Sequence, residues 1–286
     1  AEKHAQPRLS VRRRSCSVKC SMAIGIAVIS QMGSEKSDKP HCTQAIFGKI
    51  RRFGGRVGDA PYLRVMKRIL IIGASGAIGA ALAETYRSQG WQCTGLSRKE
   101  HGLDLTQEHS IAPALATLKG PFDTIVIATG ALTLDGVGPE KTIKAVTAQT
   151  MAAQMQVNAI GPALILGQIG PLLPRDRPAR IAVLSARVGS IGDNRLGGWI
   201  SYRAAKAALN QILRTSAIEL ARSHPQLSCF ALHPGTVDTP LTRPFSAKYD
   251  ARPAPEAAAR LHEVIEARGA HETGQFFDQN GSIVPW

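Results

Sequence analysis

The stretch RILIIGASGAIG, residues 68 to 79, constrains this chain more than any other. A short, almost wholly aliphatic run that stops at glycine reads as a strand buried on both faces. Helical patterning begins near Ala77, immediately after it. The glycines at 73, 76 and 79 therefore sit at a strand-to-helix turn. Such a turn offers bare backbone that an anion can approach, and a helix N-terminus whose free amides face it. A glycine-rich turn in isolation is a weak signal. After a buried strand and at the opening of a domain, it predicts nucleotide binding.

Five more apolar runs follow, QCTGLS, DTIVIAT, RIAVLSA, SCFALHP and a late GQFFD. Helical patterns separate them, at 77–87, about 147–170, 202–222 and about 255–267. Alternation of this kind predicts an α/β fold, a Rossmann-type doubly wound parallel sheet in three layers, as one domain over 66–286.

Composition fits a globular protein, 44% apolar and 20% charged. The net charge of +14 is uneven: residues 1–65 carry 13 Lys/Arg against 4 Asp/Glu, and residues 66–286 carry 22 against 17. The basic excess thus belongs mostly to the front, and no aromatic platform or recognition motif accompanies it. No nucleic-acid partner is expected. The front segment reads as a disordered basic leader or an upstream extension, with Met66 a natural start for the domain. A transit peptide or a secretory signal are the other readings. Its apolar run MAIGIAVI is too short to span a bilayer, so no membrane partner is expected either. The expected location is cytoplasmic, or organellar on the transit-peptide reading. Cys93 and Cys229 fall in strand-like runs, which suits a reducing compartment. Cys16, Cys20, His41 and Cys42 lack the spacing of a zinc site, and no metal is expected.

SYRAAKAALN places Tyr202 four residues before Lys206, on one face of a helix. An ammonium beside a phenol stabilises phenolate, so the pair predicts a tyrosine whose pKa is lowered toward neutrality. Alone, the pair would read as a solvated helix face. Downstream of a dinucleotide turn it reads as a proton-transfer device.

With GASGAIG, LDL at 103–105, IATG at 127–130, VNAIGP at 157–162, YRAAK at 202–206 and HPGTVDTP at 233–240, the chain resembles the short-chain dehydrogenase/reductase family. The resemblance covers 66–286. SARVGSIGDN, GGWISYRAAKAALNQ and GQFFDQNGSIVPW are most similar to its C-factor and sniffer-like carbonyl reductase branch. The resemblance implies a hydride transfer between a nicotinamide cofactor, NADP with NAD as the alternative, and a carbonyl or alcohol substrate. It implies Tyr202 as general acid/base, Lys206 as its partner and a ligand of the nicotinamide ribose, and Asn158 as holder of a relay water. Cofactor contacts are implied at Gly73, Ser75, Gly76, Ile78 and Gly79 in the first turn. Asp104 and Leu105, with Ala128 and Gly130, would border the adenine side, and Pro234, Gly235, Val237 and Thr239 the nicotinamide side. The lesser reading of Asp104 is a helix N-cap for the segment starting at Thr106. An assembly as homodimer or homotetramer is left open.

Three departures stand out. The glycines are spaced one-four-seven where most members have one-five-seven, and both asparagines usual before Gly130 are missing. The serine that acts on the substrate carbonyl should lie three residues ahead of Gly189, where Ala186 stands. Ser185 is favoured for that role, with Ser190 or no serine as alternatives. After QCTGLS an NAD-selective site would place an acid. Here Ser97 is followed by Arg98 and Lys99, which predicts a grip on the 2′-phosphate of NADP. His233 reads as a strand-end residue, Arg195 and Arg243 as solvated charges, and the segment from Thr236 to Pro255 as a mobile cover over the substrate. A catalytically weak nucleotide sensor or signalling protein on the same fold is the rival reading.

Overall fold

Why the first apolar run forms a strand is visible in what surrounds it. In the computed structural model, which describes residues 66–248 and 251–286, Ile69, Leu70, Ile71 and Ile72 are wholly shielded from solvent. The expectations for residues 1–65, including Cys16, Cys20, His41 and Cys42, lie outside the described residues. Side chains of a strand alternate between faces. Accordingly Leu70 and Ile72 of β1 (Arg68–Ile72) join one hydrophobic core, and Ile69 and Ile71 join another on the opposite face.

The other strands obey the same parity. They are β2 (Gln92–Leu96), β3 (Thr124–Ile127), β4 (Ala179–Leu184), β5 (Leu227–His233) and, late in the chain, Phe276–Asp278. These six make one parallel sheet in the order β2, β1, β3, β4, β5 and then the Phe276–Asp278 strand. Helix α1 (Ala77–Ser88) and the helix Ala254–Ala267 cover one face through Leu82, Tyr86, Leu261 and Ile265. On the other face lie α3 (Ile111–Ala116), α5 (Gly161–Leu166) and α6 (Ile200–Ser223), which contribute Ile111, Ile165, Leu209 and Leu213. The one-turn helix α2 (Arg98–His101) follows β2. The expected three-layer, doubly wound fold is what forms.

The helix expected over 147–170 is not continuous. It begins as α4 (Ala148–Met155), capped by Thr147, whose hydroxyl accepts from Thr150 N at 3.1 Å. It then widens into a π-turn over Gln156–Ile160 before α5. Asn158 lies inside that π-turn and is wholly buried. A π-turn marks a place where a side chain is needed out of α-helical register, a demand that an apolar repeat cannot signal.

The segment after β5 contains a two-residue strand, β6 (Val237–Asp238), which pairs with β7 (Arg252–Pro253), and a 3-10 helix over Arg243–Lys248. Counting these, the helix Ala254–Ala267 is α7 and the last strand of the large sheet is β8.

Candidate active site

Strand order reverses between β1 and β3, so the chain leaves their adjacent C-terminal ends in opposite directions and opens a crevice. The glycine turn lies on that crevice. Gly73 has φ +92°, and a Cβ there would come within 2.9 Å of Ala128 O; a Cβ on Gly79 would come within 2.3 Å of Gly73 O. Both glycines are thus demanded by packing. Gly76 differs, because it is exposed and a Cβ on it would meet only Gly73 O, at 3.3 Å. It caps α1 with no side-chain hydrogen bond, which leaves the helix N-terminus open beside exposed Ser75. Ile78 follows one residue into the helix and lines the large cavity described below. Across the crevice, Ala128 N donates to Ile72 O at 2.7 Å, and the buried hydroxyl of Thr129 has no partner. An open helix N-terminus facing an orphaned hydroxyl fits the phosphates and ribose of a dinucleotide.

At the end of β2 the structure shows what Ser97 does locally. Ser97 is 2% exposed, and its hydroxyl caps α2 by accepting from Glu100 N at 3.3 Å. Its hydroxyl is engaged inward, whereas Arg98 and Lys99 are exposed. Asp104 closes a turn onto Thr106 rather than capping a helix, since the next helical turn, Glu108–Ser110, has Gln107 at its N-cap. Its Oδ1 accepts from Thr106 N at 3.0 Å, and that bond, that of the Thr106 hydroxyl and the nearby Arg98 hold its carboxyl below the usual range. Leu105 beside it is buried, its carbonyl accepting from Gln156 Nε2 at 2.9 Å.

Tyr202 lies in the first turn of α6, and Lys206 one turn later, both buried. Lys206 Nζ is 5.8 Å from the centroid of the Tyr202 ring and donates to Leu184 O at 3.2 Å. The expected lowering of the tyrosine is not found; burial raises the Tyr202 phenol above its ordinary value. Burial also lowers Lys206, to about 8. Desolvation disfavours the charged form of each, and it outweighs their mutual attraction. Burial thus favours the neutral phenol of Tyr202 over the phenolate. For Lys206 the sign is opposite. Between about pH 8 and the unfolded lysine value, the unfolded chain binds the extra proton, so stability rises with pH in that window, by up to about 1.4 kcal/mol per pH unit. Comparing thermal unfolding at pH 7.5 and 9.5, we expect the native protein to gain stability relative to Lys206→Met. Parallel pH profiles would refute the burial argument.

Gly130 joins the tyrosine-bearing helix to the π-turn, since a Cβ on it would lie 3.0 Å from Asn158 Oδ1 and 3.3 Å from Lys206 Nζ. Asn158 is fully engaged: Nδ2 donates to Ala131 O at 2.8 Å and to Gln154 Oε1 at 2.7 Å, while Oδ1 accepts from Ala131 N at 3.1 Å. Both amide hydrogens are taken, so its side chain pins the backbone after β3.

Ser185, Tyr202 and His233 line one cavity of about 520 Å3, whereas Ser190 does not. Ser190 Oγ instead accepts from Asp193 N at 3.1 Å within the loop. Ser185 donates its proton to Asn210 Oδ1 at 2.6 Å and so turns lone pairs to the cavity. Pro234, Gly235, Val237 and Thr239 form the cavity's far wall. His233 Nδ1 is buried without a partner, and burial, with Arg187 nearby, lowers the ring to about 4. Arg195 also lines the cavity and is exposed, and Arg243 is likewise exposed, its Nε donating to Asp238 at 2.8 Å on the surface. Sequence reasoning missed Trp199 and Phe245. Their rings meet edge-to-face at 5.5 Å, and Trp199 meets Tyr202 at 6.3 Å, which ties the segment after β6 to the tyrosine. No periodicity marks them; only the preceding Gly197 and Gly198 hint at an unusual backbone.

In open parallel sheets ligands, dinucleotides among them, bind in the crevice at the switch point. Residues 67–250 match the family model described as short chain dehydrogenase, and the chain belongs to that family. It is an NAD(P)-dependent dehydrogenase or reductase acting on a small molecule. It is 28% identical to a 1-hydroxy-2-glutathionyl-2-methyl-3-butene dehydrogenase of Rhodococcus, over 77% of this chain and all of that one. It is 34% identical to the C-signal protein of Myxococcus xanthus, over 48% of this chain and 78% of that one. Among solved structures, a short-chain dehydrogenase/reductase of Burkholderia multivorans with bound NADP is 29% identical, with TM-score 0.66, over 77% of this chain and all of that one. The carbonyl reductase Sniffer of D. melanogaster shares the fold, with TM-score 0.65 at 21% identity, over 77% of this chain and all of that one. Among the described residues no helix is long and apolar enough to cross a membrane.

Proposed function

We propose that the protein is an NADP-dependent reductase of carbonyl compounds, with Tyr202 as the proton donor. The observation that carries this is the shared cavity, which runs from Ile78 and Thr239, on the side read for the cofactor, to Tyr202 and Ser185. The dinucleotide would lie over the open N-terminus of α1, with Gly73, Ser75, Gly76 and Gly79 beneath its phosphates. Asp104, Leu105, Ala128 and Gly130 would flank its adenine half, and Pro234, Gly235, Val237 and Thr239 its nicotinamide half. When bound, the nicotinamide supplies the hydride.

This chain's residues do the rest. Tyr202 Oη gives its proton to the substrate's carbonyl oxygen, as a neutral phenol can and a phenolate cannot. Lys206 offsets the charge left on the phenol oxygen and steadies the ribose. Asn158 holds the π-turn whose main chain carries the relay water. Ser185, with its proton on Asn210, accepts the hydroxyl of the alcohol that forms. The aliphatic and aromatic walls, Leu132, Val188, Trp199 and Phe245 among them, suit an apolar carbonyl compound and keep water from it. The free thiols of Cys93 and Cys229 accord with a cytoplasmic enzyme.

Fluorescence titration with NADPH, followed by a panel of aldehydes and ketones, tests the reading. Cofactor binding without turnover of any of them would favour the nucleotide sensor, which Ala186 in place of the family serine would suit. Ser185→Ala is expected to lower turnover about tenfold, less than loss of a general acid, with Ser190→Ala near the native rate. The reverse order would move the role to Ser190.

A further inference from the structure

The segment that follows β3 borders the cavity at Leu132 and is fastened at two places. At its start Asn158 grips both main-chain groups of Ala131, and Gln154 Nε2 donates to Leu132 O at 3.0 Å. At its far end stands Glu140, a carboxyl group only 7% exposed. Its described partners are donors rather than cations. Ser201 Oγ donates to Oε1 in a short hydrogen bond, Ser201 N donates to Oε2 at 3.2 Å, and Thr150 Oγ1 donates to Oε1 at 3.3 Å. Burial pushes the carboxyl up, but these hydrogen bonds prevail and hold it below the usual range, as an anion. The anion sits at the positive end of the 24-residue helix α6, where the helix dipole favours it.

Glu140 also acts through its main chain. Its carbonyl oxygen accepts from Trp199 N at 2.5 Å. Trp199 has φ +53°, and follows Gly197 and Gly198 at φ +63° and +66°. A left-handed conformation costs a residue with a Cβ about 1 kcal/mol or more, so something must hold it. What holds it is this bond, together with the ring contacts to Tyr202 and Phe245. Glu140 therefore fixes the residue before Tyr202 and the residue three before it.

We infer that Glu140 is a positioning residue for the reaction: by clamping Ser201 and Trp199 it sets the first turn of α6, and with it the place at which the Tyr202 hydroxyl meets the substrate. The inference rests on the reading of Tyr202 as proton donor. It assigns Glu140 no contact with substrate or cofactor. If Glu140 acts through Tyr202, its loss must be felt only while that hydroxyl is present. A carboxylate that merely stabilises the fold would be felt regardless.

The test measures kcat, NADPH affinity and Tm for the native protein, Glu140→Gln, Ser201→Ala, Tyr202→Phe and the pair Tyr202→Phe/Glu140→Gln. Glutamine keeps the shape of Glu140 but turns an NH2 toward one of the Ser201 donors. We expect Glu140→Gln to lower kcat about 10- to 100-fold, the scale of a misplaced reacting group, with NADPH affinity within about twofold. Ser201→Ala should fall in the same direction by less. In the Tyr202→Phe background, Glu140→Gln should change the residual rate by less than about twofold. Equal fold-losses in both backgrounds, an unchanged kcat, or loss of NADPH affinity in step with kcat would overturn the inference. Native turnover in Tyr202→Phe alone would instead overturn the reading of Tyr202. Should Glu140→Gln fail to fold, Ser201→Ala with and without Tyr202→Phe makes the same comparison.

Discussion

Tyr202→Phe is expected to lower turnover at least about 100-fold while leaving NADPH affinity within about twofold. The phenylalanine ring keeps the edge-to-face contact with Trp199 and the burial of the first turn of α6, so only the hydroxyl and its proton are lost. Because burial raises the phenol, native turnover in the reducing direction should not fall between pH 6 and 7 through loss of the tyrosine proton, and a fall near pH 8 is expected from Lys206, which burial lowers to about 8. Stopped-flow or steady-state oxidation of NADPH, with binding followed separately by fluorescence, measures both quantities. Turnover near the native rate would mean that the tyrosine and lysine are no more than a buried helix face.

Arg98→Ala is expected to reduce the preference for NADPH over NADH by tenfold to more than a hundredfold, by weakening NADPH and leaving NADH nearly untouched. A guanidinium on a phosphate contributes about 1.5 to 3 kcal/mol, which is that range of affinity ratio. The side chain is exposed at the first residue of α2, and Ser97, whose hydroxyl closes that helix turn, fixes where the backbone delivers it. Ser97→Ala should then have a smaller effect on the same ratio, because it loosens the turn rather than removing the charge. Equal dissociation constants for the two cofactors in the native protein would show that Arg98 and Lys99 are surface charge only.

The sheet was legible because burial on both faces leaves a signal that needs no neighbours: RILII, TIVI and IAVL could hardly do anything else. Gly73 and Gly79 were legible for the same reason, a local shape that excludes a Cβ. What escaped was set by contacts distant in sequence. Tyr202 and Lys206 were found, but the direction of the tyrosine's shift was not, since spacing gives the charge and not the desolvation. Ser97 was read as facing a ligand, and a hydrogen bond three residues along turns it inward. Glu140 carries no motif, and Trp199 lay in a quoted stretch that gave it no role; 61 residues separate Glu140 from Ser201. Of the serines, Ser185 could be placed in the cavity only once the loop from Arg187 to Trp199 had its course.

The alternation of each strand between two separate cores has an evolutionary consequence. Losing or gaining one residue in β1, β3 or β4 would move that strand's side chains beyond the change to the opposite face of the sheet. Lineages descended from such an ancestor can change the scaffold only by substitution. The irregular stretches at 187–199 and 239–248 have no parity to preserve, so there the chain can lengthen or shorten without exchanging the two faces. Divergence in what these proteins accept as substrate should therefore accumulate as insertions and deletions in those two stretches, over a sheet whose strands keep their lengths.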